Sequence, residues 1–557
     1  MKSGFSKIRT LFAGTIVFVL FGFISLTGFK GNDKDFEIVK NLDIFYSLMK
    51  ELDVYYVDEI DPGKMIKNSL DRMLKDLDPY TVLISENQIE DYRIQSTGNY
   101  GGLGFTTQKI DGKIFIADII QNSPADIAKL HIGDELLEVE GKDIRSKSTE
   151  EIGILIKGNP KTAVSIKVMD LKSASERTLA LIRQNIQLAN VSYFGKVGKS
   201  TGYIKLSNFM EKAAADVKKA FIELKEKEKI ESLVLDLRGN PGGLLVEAVS
   251  LVNLFVPKGE LIVSTKGKIN DWNKNFLTME NPVDLNIPVI VLIDRMSASA
   301  SEIVSGALQD LDRAVIVGEK SYGKGLVQIT LMLSYNTQFK VTTAKYYIPS
   351  GRCIQVLDYS HRNVDGSVGK VPDSLKTEFK TRNSRKVFDG GGVLPDVSVN
   401  DLEQNYFVKE LISSNLFFKF GNEFFKKNDS IADVLSYSLP ENVLNDFERK
   451  LNGDDMKLDS ETCRKFKEFK DLLIKENLNK NLDQYITQIE KAIEPNKALE
   501  FSKNKELIKL LIQKEIVKRY YYEKGMVQNS LESDQLILKS LEVFSEIENY
   551  SKILNKK

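Results

Sequence analysis

The sequence predicts a multidomain α/β protein: a helical N-terminal region, a β-rich module, an α/β core and a helical C-terminal domain. Three observations carry that expectation. At ~150 residues per domain, 557 residues make roughly three to four folded units. Two continuous, mostly apolar runs, Leu233-Val234-Leu235-Asp236-Leu237 and Val289-Ile290-Val291-Leu292-Ile293, are each followed by a helical segment. Such runs are expected of strands buried on both faces of a parallel sheet. Finally, the period of the apolar residues changes along the chain, from helical to alternating, to mixed, and back to helical.

In chain order, Lys2, Lys7 and Arg9 precede an uncharged run from Leu11 to Phe29, 19 residues long. That length spans a bilayer core as a helix, and the basic flank would stay cytoplasmic. No small-x-small cleavage site follows, which favours a retained anchor over a cleaved signal in 1–32. From 33 to 92 the pattern is helical, with Ile38, Leu42, Phe45 and Met49 near one face, then Met65, Ile66, Leu70, Met73 and Leu74. Asp61-Pro62 and Asp78-Pro79 punctuate the two stretches, because proline disfavours a helical residue before it. Between 93 and 187 the chain changes to short alternating strands broken by glycine, such as Ile114-Phe115-Ile116 and Val164-Ser165-Ile166-Lys167-Val168. One capping box, Ser148-Thr149-Glu150-Glu151, opens a short helix there. Residues 188–400 alternate strands and helices. Residues 401–557 return to helical spacing, as at Leu507, Ile508, Leu511, Ile512 and Ile516.

Composition excludes several functions. Lys plus Arg (78) equals Asp plus Glu (78), which gives no electrostatic reason to expect nucleic acid as a partner. Two histidines, His131 and His361, and two cysteines, Cys353 and Cys463, lack the clustered spacing of a zinc site. They form no disulfide framework either. Neither a metal nor a cofactor is expected. Acid-base chemistry near neutral pH must use one of the two histidines or a group with a shifted pKa.

The residues that could carry chemistry lie where the 289–293 strand runs into Asp294-Arg295-Met296-Ser297-Ala298-Ser299-Ala300-Ser301-Glu302 and a helix. A serine at a strand-to-helix junction sits where unpaired backbone N–H groups favour a developing negative charge, which suits an acyl-transfer nucleophile. Serine is also a favoured N-cap, so the junction alone leaves both readings open for Ser297, Ser299 and Ser301. Gly318-Glu319-Lys320-Ser321-Tyr322-Gly323-Lys324 matches the phosphate-loop pattern. However, Gly325 stands where magnesium would need Ser or Thr, and Leu326 onward alternates as a strand instead of opening a helix.

Taken together, Ser-Ala-Ser-Ala-Ser-Glu at 297–302, Gly-Ala-Leu-Gln-Asp at 306–310 and the Gly318-to-Gln328 segment resemble the carboxy-terminal processing (tail-specific) serine peptidases. Asp236-Leu237-Arg238-Gly239-Asn240-Pro241-Gly242-Gly243, Tyr346 to Arg352 and Gly392 to Asp396 extend the resemblance over about residues 40 to 400. It implies a ClpP/crotonase-like α/β core and a Ser-Lys dyad, with Ser299 as nucleophile, Lys324 as base and Gln328 orienting the lysine. On a strand, Lys324 and Gln328 would share a face. The implied oxyanion donors are the Ala300 N–H and an N–H of the Gly242-Gly243 turn. Asp310 matches an aspartate sometimes counted with the dyad. At eleven residues beyond Ser299 it would lie about 16 Å away along a helix, which favours a structural role. Glu302 reads as a favourable first-turn charge.

Gly101-Gly102-Leu103-Gly104-Phe105 resembles the carboxylate-binding loop of PDZ domains, and Ser123-Pro124-Ala125 and Leu130-His131-Ile132-Gly133-Asp134 continue that likeness. The resemblance implies that Gly102, Leu103, Gly104 and Phe105 cradle a peptide's terminal carboxylate while the peptide adds as a strand. The expectation is an extracytoplasmic, membrane-anchored endopeptidase acting on protein C-termini. The alternative is an inactive PDZ-bearing scaffold. The C-terminal helices would serve oligomerisation or adaptor docking.

Overall fold

The structure, a computed structural model, describes residues 33–363, 365–399, 405–453, 460–478, 482–493 and 496–555. The segment read as a membrane anchor lies outside them. Among the described residues no helix is long and apolar enough to cross a membrane. The chain divides into two compact units, residues 1–83 and 84–557.

The first unit holds helices α1 (Asp33–Tyr55) and α2 (Pro62–Lys75). Asp61 caps α2, its Oδ1 accepting from the Lys64 N–H at 2.9 Å, and Pro62 fills the first turn, where no N–H is needed. Helix α1 exposes Ile38, Leu42, Phe45 and Leu48.

The second unit begins with α3 (Ile89–Thr97), which ends at Gly98 in the left-handed conformation. Strand β1 (Asn99–Gly102) follows and pairs with β2 (Gln184–Gln187), closing the stem of the β-rich module. Inside, an antiparallel sheet runs in the order Phe105–Ile110, Lys113–Ile119, Glu135–Val139, Ala163–Met169, Glu176–Ile182. Burial alternates along these strands, so that Ile114, Ile116, Val164, Ile166 and Val168 fill one core. The capping box forms as the sequence predicts, with Ser148 Oγ accepting from the Glu151 N–H and Glu151 returning a carboxylate oxygen to the Ser148 N–H. It starts helix α4 (Thr149–Ile156), which packs beside the edge strand Phe105–Ile110.

The α/β core is built on a six-stranded sheet in the order Val191–Val197, Thr201–Leu206, Ser232–Asp236, Val289–Ile293, Val315–Gly318, Val397–Ser398. The first pair is antiparallel and the rest are parallel. One face, with Leu233, Leu235, Val289, Val291 and Ile293, is covered by α5 (Ala213–Lys227), α6 (Leu245–Val252) and α7 (Ala300–Asp310). The other face, with Val234, Ile290, Leu292, Val315 and Val317, is covered by Leu536, Ile537, Val543, Tyr550 and Leu554. These belong to α8 (Gln535–Ser545), α9 (Ile547–Ile553) and the residue after it. The last part of the region read as a separate helical domain is therefore the second layer of the core.

The remaining C-terminal helices form their own core around Phe407, Phe420, Phe447, Ile512 and Ile516. They also grip the β-rich module. Phe418 inserts into that module's core, and Tyr522 donates its hydroxyl to Asp126 Oδ1 at 2.5 Å from a helix kink where its own φ is +58°. Lys419–Asp111 and Lys518–Asp118 add ion pairs across the same contact.

Candidate active site

The three serines of the junction have different fates. Ser297 is buried, donates to the Leu237 carbonyl at 2.9 Å and accepts from the Asp294 N–H. Ser301 is buried and donates to the Asn240 carbonyl at 2.9 Å. Ser299 sits between them at the start of α7 with φ +54° and ψ −112°, a strained conformation for a residue with a Cβ, and it lines a cavity of about 580 Å³. Lys324, Gln328, Gly242, Gly243, Tyr346 and Leu326 line the same cavity.

That strain is held by neighbours on all sides. Asp294 accepts N–H bonds from Met296 and Ser297 in its own turn and from Gly239 across the gap. Asn240, fully buried, accepts from the Ala298 N–H and the Ser301 hydroxyl through its carbonyl. Its side chain donates to the Leu206 carbonyl and accepts from the Gly242 N–H. The Tyr346 hydroxyl donates to the Ser299 carbonyl at 3.2 Å. Gly242, at φ +95°, lies so close that a Cβ would meet Ala298 O at 2.6 Å, Ala300 N at 2.8 Å and Ser299 Cβ at 2.9 Å. Only glycine fits there. The Gly242 N–H is used by Asn240. Among the described residues, the Gly243 and Ala300 N–H groups have no acceptor.

Glu302 has a larger part than a first-turn charge. Its side chain is fully buried, and its two oxygens accept four hydrogen bonds. They come from the Ser299 N–H (2.8 Å), the Ser321 hydroxyl (2.5 Å), the Gly323 N–H (2.7 Å) and the Lys324 N–H (2.9 Å). One carboxylate thus joins the serine turn to the loop that carries the lysine. Burial raises its pKa above the usual glutamate value, against the opposing pull of these hydrogen bonds. The loop that matches a phosphate-binding pattern does cradle an anion, and the anion is Glu302. Sequence reasoning missed this, although the Ser-x-x-Glu spacing at 299–302 was a signal.

Lys324 lies in irregular chain, since the strand begins at Leu326, and the pairing of Leu326–Met332 with Gln338–Tyr347 shifts register between Val327 and Gln328. Strand parity therefore does not set their common direction; the bulge and the loop do. Gln328 Nε2 donates to Thr342 Oγ1 at 3.1 Å. Asp310 is not at the cavity. It lies at the far end of α7, buried, paired with Arg352 at 2.9 Å and accepting from the Ser350 N–H. Burial raises its pKa, and Arg352 opposes that shift.

The residues read as a carboxylate loop, Gly102, Leu103, Gly104 and Phe105, are buried where β1 passes into the edge strand of the module. The Leu103 carbonyl accepts from the Ala125 N–H, and the Gly104 carbonyl accepts from the Ile120 N–H. Gly104 has φ +79°, with Ser123 Cβ 2.2 Å from where a Cβ would stand. The stretch just upstream, Tyr92 and Ile94 to Ser96 of α3, forms part of the wall of the cavity that Ser299 lines. His131 lies in a tight turn closed by Asp134 and packs on Phe425, while His361 is exposed; neither lines the cavity.

Comparison with known proteins adds three family matches. Residues 200–359 match peptidase family S41, residues 93–169 match the PDZ domain, and residues 407–544 match the C-terminal helical domain of a probable PDZ-protease. A carboxy-terminal-processing protease of Bartonella bacilliformis is 35% identical over 319 residues, covering 57% of this chain and 73% of the relative. A probable CtpA-like serine protease of Staphylococcus aureus is 31% identical over 352 residues, covering 62% of this chain and 68% of the relative. Among solved structures, a photosystem II D1 C-terminal processing protease is 25% identical, with a TM-score of 0.35, over 64% of this chain and 92% of that one.

Proposed function

The chain belongs to peptidase family S41 and is a PDZ-bearing serine protease of the carboxy-terminal-processing kind; from that premise we propose that it cleaves proteins outside the cytoplasm, selected by their C-termini, through a Ser299–Lys324 dyad and an acyl-enzyme. The observation that carries the dyad is the division of labour among the serines. The hydroxyls of Ser297 and Ser301 are given to backbone carbonyls, whereas Ser299 shares a cavity with Lys324, and both are tied to Glu302.

In this mechanism the Ser299 hydroxyl attacks the substrate carbonyl as its proton passes to the neutral Lys324 amine. That requires a lysine pKa held below its ordinary ~10.4. The oxyanion accepts from the Ala300 and Gly243 N–H groups, whose direction is fixed before substrate arrives. Lys324 gives the proton to the leaving amine. It then takes one from the water that hydrolyses the ester and returns it to the Ser299 oxygen as the acyl–oxygen bond breaks, while Gln328, anchored to Thr342, orients the lysine. The substrate's tail adds as a strand to the free edge of Phe105–Ile110 beside α4, with its carboxylate at Gly102 to Phe105. The basic residues before Leu11 and the apolar run after them support an anchored, extracytoplasmic placement. Cleavage of a protein with an apolar C-terminal tail should be abolished by Ser299→Ala and by Lys324→Ala. Full activity in either variant would overturn the dyad.

A further inference from the structure

Glu302 holds the N–H groups of the serine turn and the lysine loop, and one buried tyrosine holds their carbonyls. Tyr346 is 1% exposed and lies in the strand Gln338–Tyr347, which pairs with Leu261–Gly267 through Thr265. Its backbone N–H donates to the Gly325 carbonyl at 3.0 Å, one residue beyond Lys324. Its hydroxyl donates to the Ser299 carbonyl at 3.2 Å. A single residue thus reaches both halves of the site from a third element.

The Ser299 carbonyl has two further donors, the Glu302 and Ile303 N–H groups at 2.9 Å each, but both lie on α7 and move with it. The tyrosine hydroxyl comes from outside the helix, so it restrains the Ser299 peptide relative to the lysine loop, which those two cannot do. Ser299 needs that restraint, because φ +54° and ψ −112° persist only where the surroundings over-determine them. Gly325 is fixed as well, its N–H donating to Gln355 Oε1 at 2.7 Å. Glu302 accepts from the N–H groups of Ser299 and Lys324, whereas Tyr346 donates to the carbonyls of Ser299 and Gly325. The two braces have opposite polarity, so neither replaces the other.

We propose that Tyr346 is a positioning residue for the cleavage reaction, setting the distance between the Ser299 hydroxyl and the Lys324 amine by tying the serine turn to the lysine loop. The proposal rests on the dyad reading above. Its leverage is geometric: misplacing a reacting group by about 1 Å costs on the order of 100-fold in rate.

The test is Tyr346→Phe in the full chain, which removes the hydroxyl and keeps the ring and the backbone N–H. The expected result is a kcat for an apolar-tailed protein lower by about tenfold or more, with labelling of Ser299 by a serine-directed phosphonate slowed in proportion. KM should stay within about threefold, and the pH profile of kcat should keep its midpoint, because the hydroxyl holds Ser299 and carries no proton in the reaction. Tyr550→Phe removes another buried hydroxyl that donates to a backbone carbonyl, that of Val289 at 3.0 Å, on the far face of the sheet. It should lower the thermal midpoint and leave kcat unchanged. Unchanged kcat and labelling in Tyr346→Phe, a loss confined to KM, a displaced pH midpoint, or an equal loss of kcat in Tyr550→Phe would each overturn the proposal. The dyad itself is decided separately, by labelling of the Ser299→Ala and Lys324→Ala variants.

Discussion

At the residue scale, Glu302 and Gly242 decide the most. A glutamine at 302 keeps the shape but replaces one acceptor oxygen with a donor, so two of the four donors that Glu302 satisfies lose their partner. An unsatisfied buried donor costs about 1–3 kcal/mol. Because the loss falls on the geometry of Ser299 and Lys324, Glu302→Gln should lower kcat by roughly tenfold or more. KM should change by less than about threefold, because in the proposed mechanism the residue positions the dyad and leaves substrate binding to other groups. Steady-state kinetics on a folded variant checks this. Gly242→Ala should abolish activity, since the methyl would meet the backbone of Ala298 and Ala300. Gly239→Ala, also at positive φ but with open space around it, should cost only about 1–2 kcal/mol and leave a working enzyme.

Asp236 gives a pH prediction with a definite sign. It is fully buried, and burial alone would raise its pKa, but Arg238, Lys205 and the Tyr203 hydroxyl outweigh that and hold it well below the ordinary 3.8. A carboxylate depressed in the folded state contributes stability that is present above its unfolded pKa and lost as pH falls through the folded one. Denaturation midpoints should therefore drop as pH falls below about 4. Asp236→Asn should weaken that acid dependence and lower stability at neutral pH by about 1–3 kcal/mol, because Lys205 would lose its carboxylate partner and Arg238 would keep only Asp534. Urea titrations at pH 3, 5 and 7 would separate the two effects.

At the scale of elements, the strands were the most legible. Leu233 to Leu237 and Val289 to Ile293 are apolar on both faces because each face meets a helix layer, and such runs have few alternatives. The identity of the outer layer was not legible. Helical spacing in the last hundred residues shows that a face exists but not what it meets. Only the fold shows that Leu536, Ile537 and Val543 cover Val234, Ile290 and Leu292. Truncation after Ser533 should therefore leave the core insoluble or unfolded, by removing one of its two layers. If the shortened chain stays soluble with an unchanged thermal midpoint, the layer assignment fails. The grip on the β-rich module is open to a smaller test. Phe418→Ala should destabilise that module by about 3–5 kcal/mol, the usual cost of truncating a core phenylalanine, and hydrogen exchange in Lys113–Ile119 should rise.

For the whole molecule, the sequence carried the order of units and the motifs of the site, while the connections within the site came from the fold. Ser299 could not be separated from Ser297 and Ser301 by sequence chemistry alone, because all three are serines at a helix start. Burial and hydrogen bonding separate them. Asp294, Asn240 and Glu302 gave little sign of their work because their partners lie twenty to sixty residues away along the chain. The glycine-lysine loop suggested a phosphate because a phosphate and a buried carboxylate ask for the same donors. The even charge balance and the scarcity of histidine fit the proposed lysine base, and nothing in the composition alone pointed there.

The central claim is that Ser299, and neither neighbouring serine, becomes acylated. Incubation with a serine-directed phosphonate, followed by mass spectrometry of the peptide spanning 294–310, tests it most directly. The adduct should map to Ser299, be absent in Ser299→Ala and form much more slowly in Lys324→Ala. An adduct on Ser297 or Ser301, or undiminished labelling of Ser299→Ala, would contradict it.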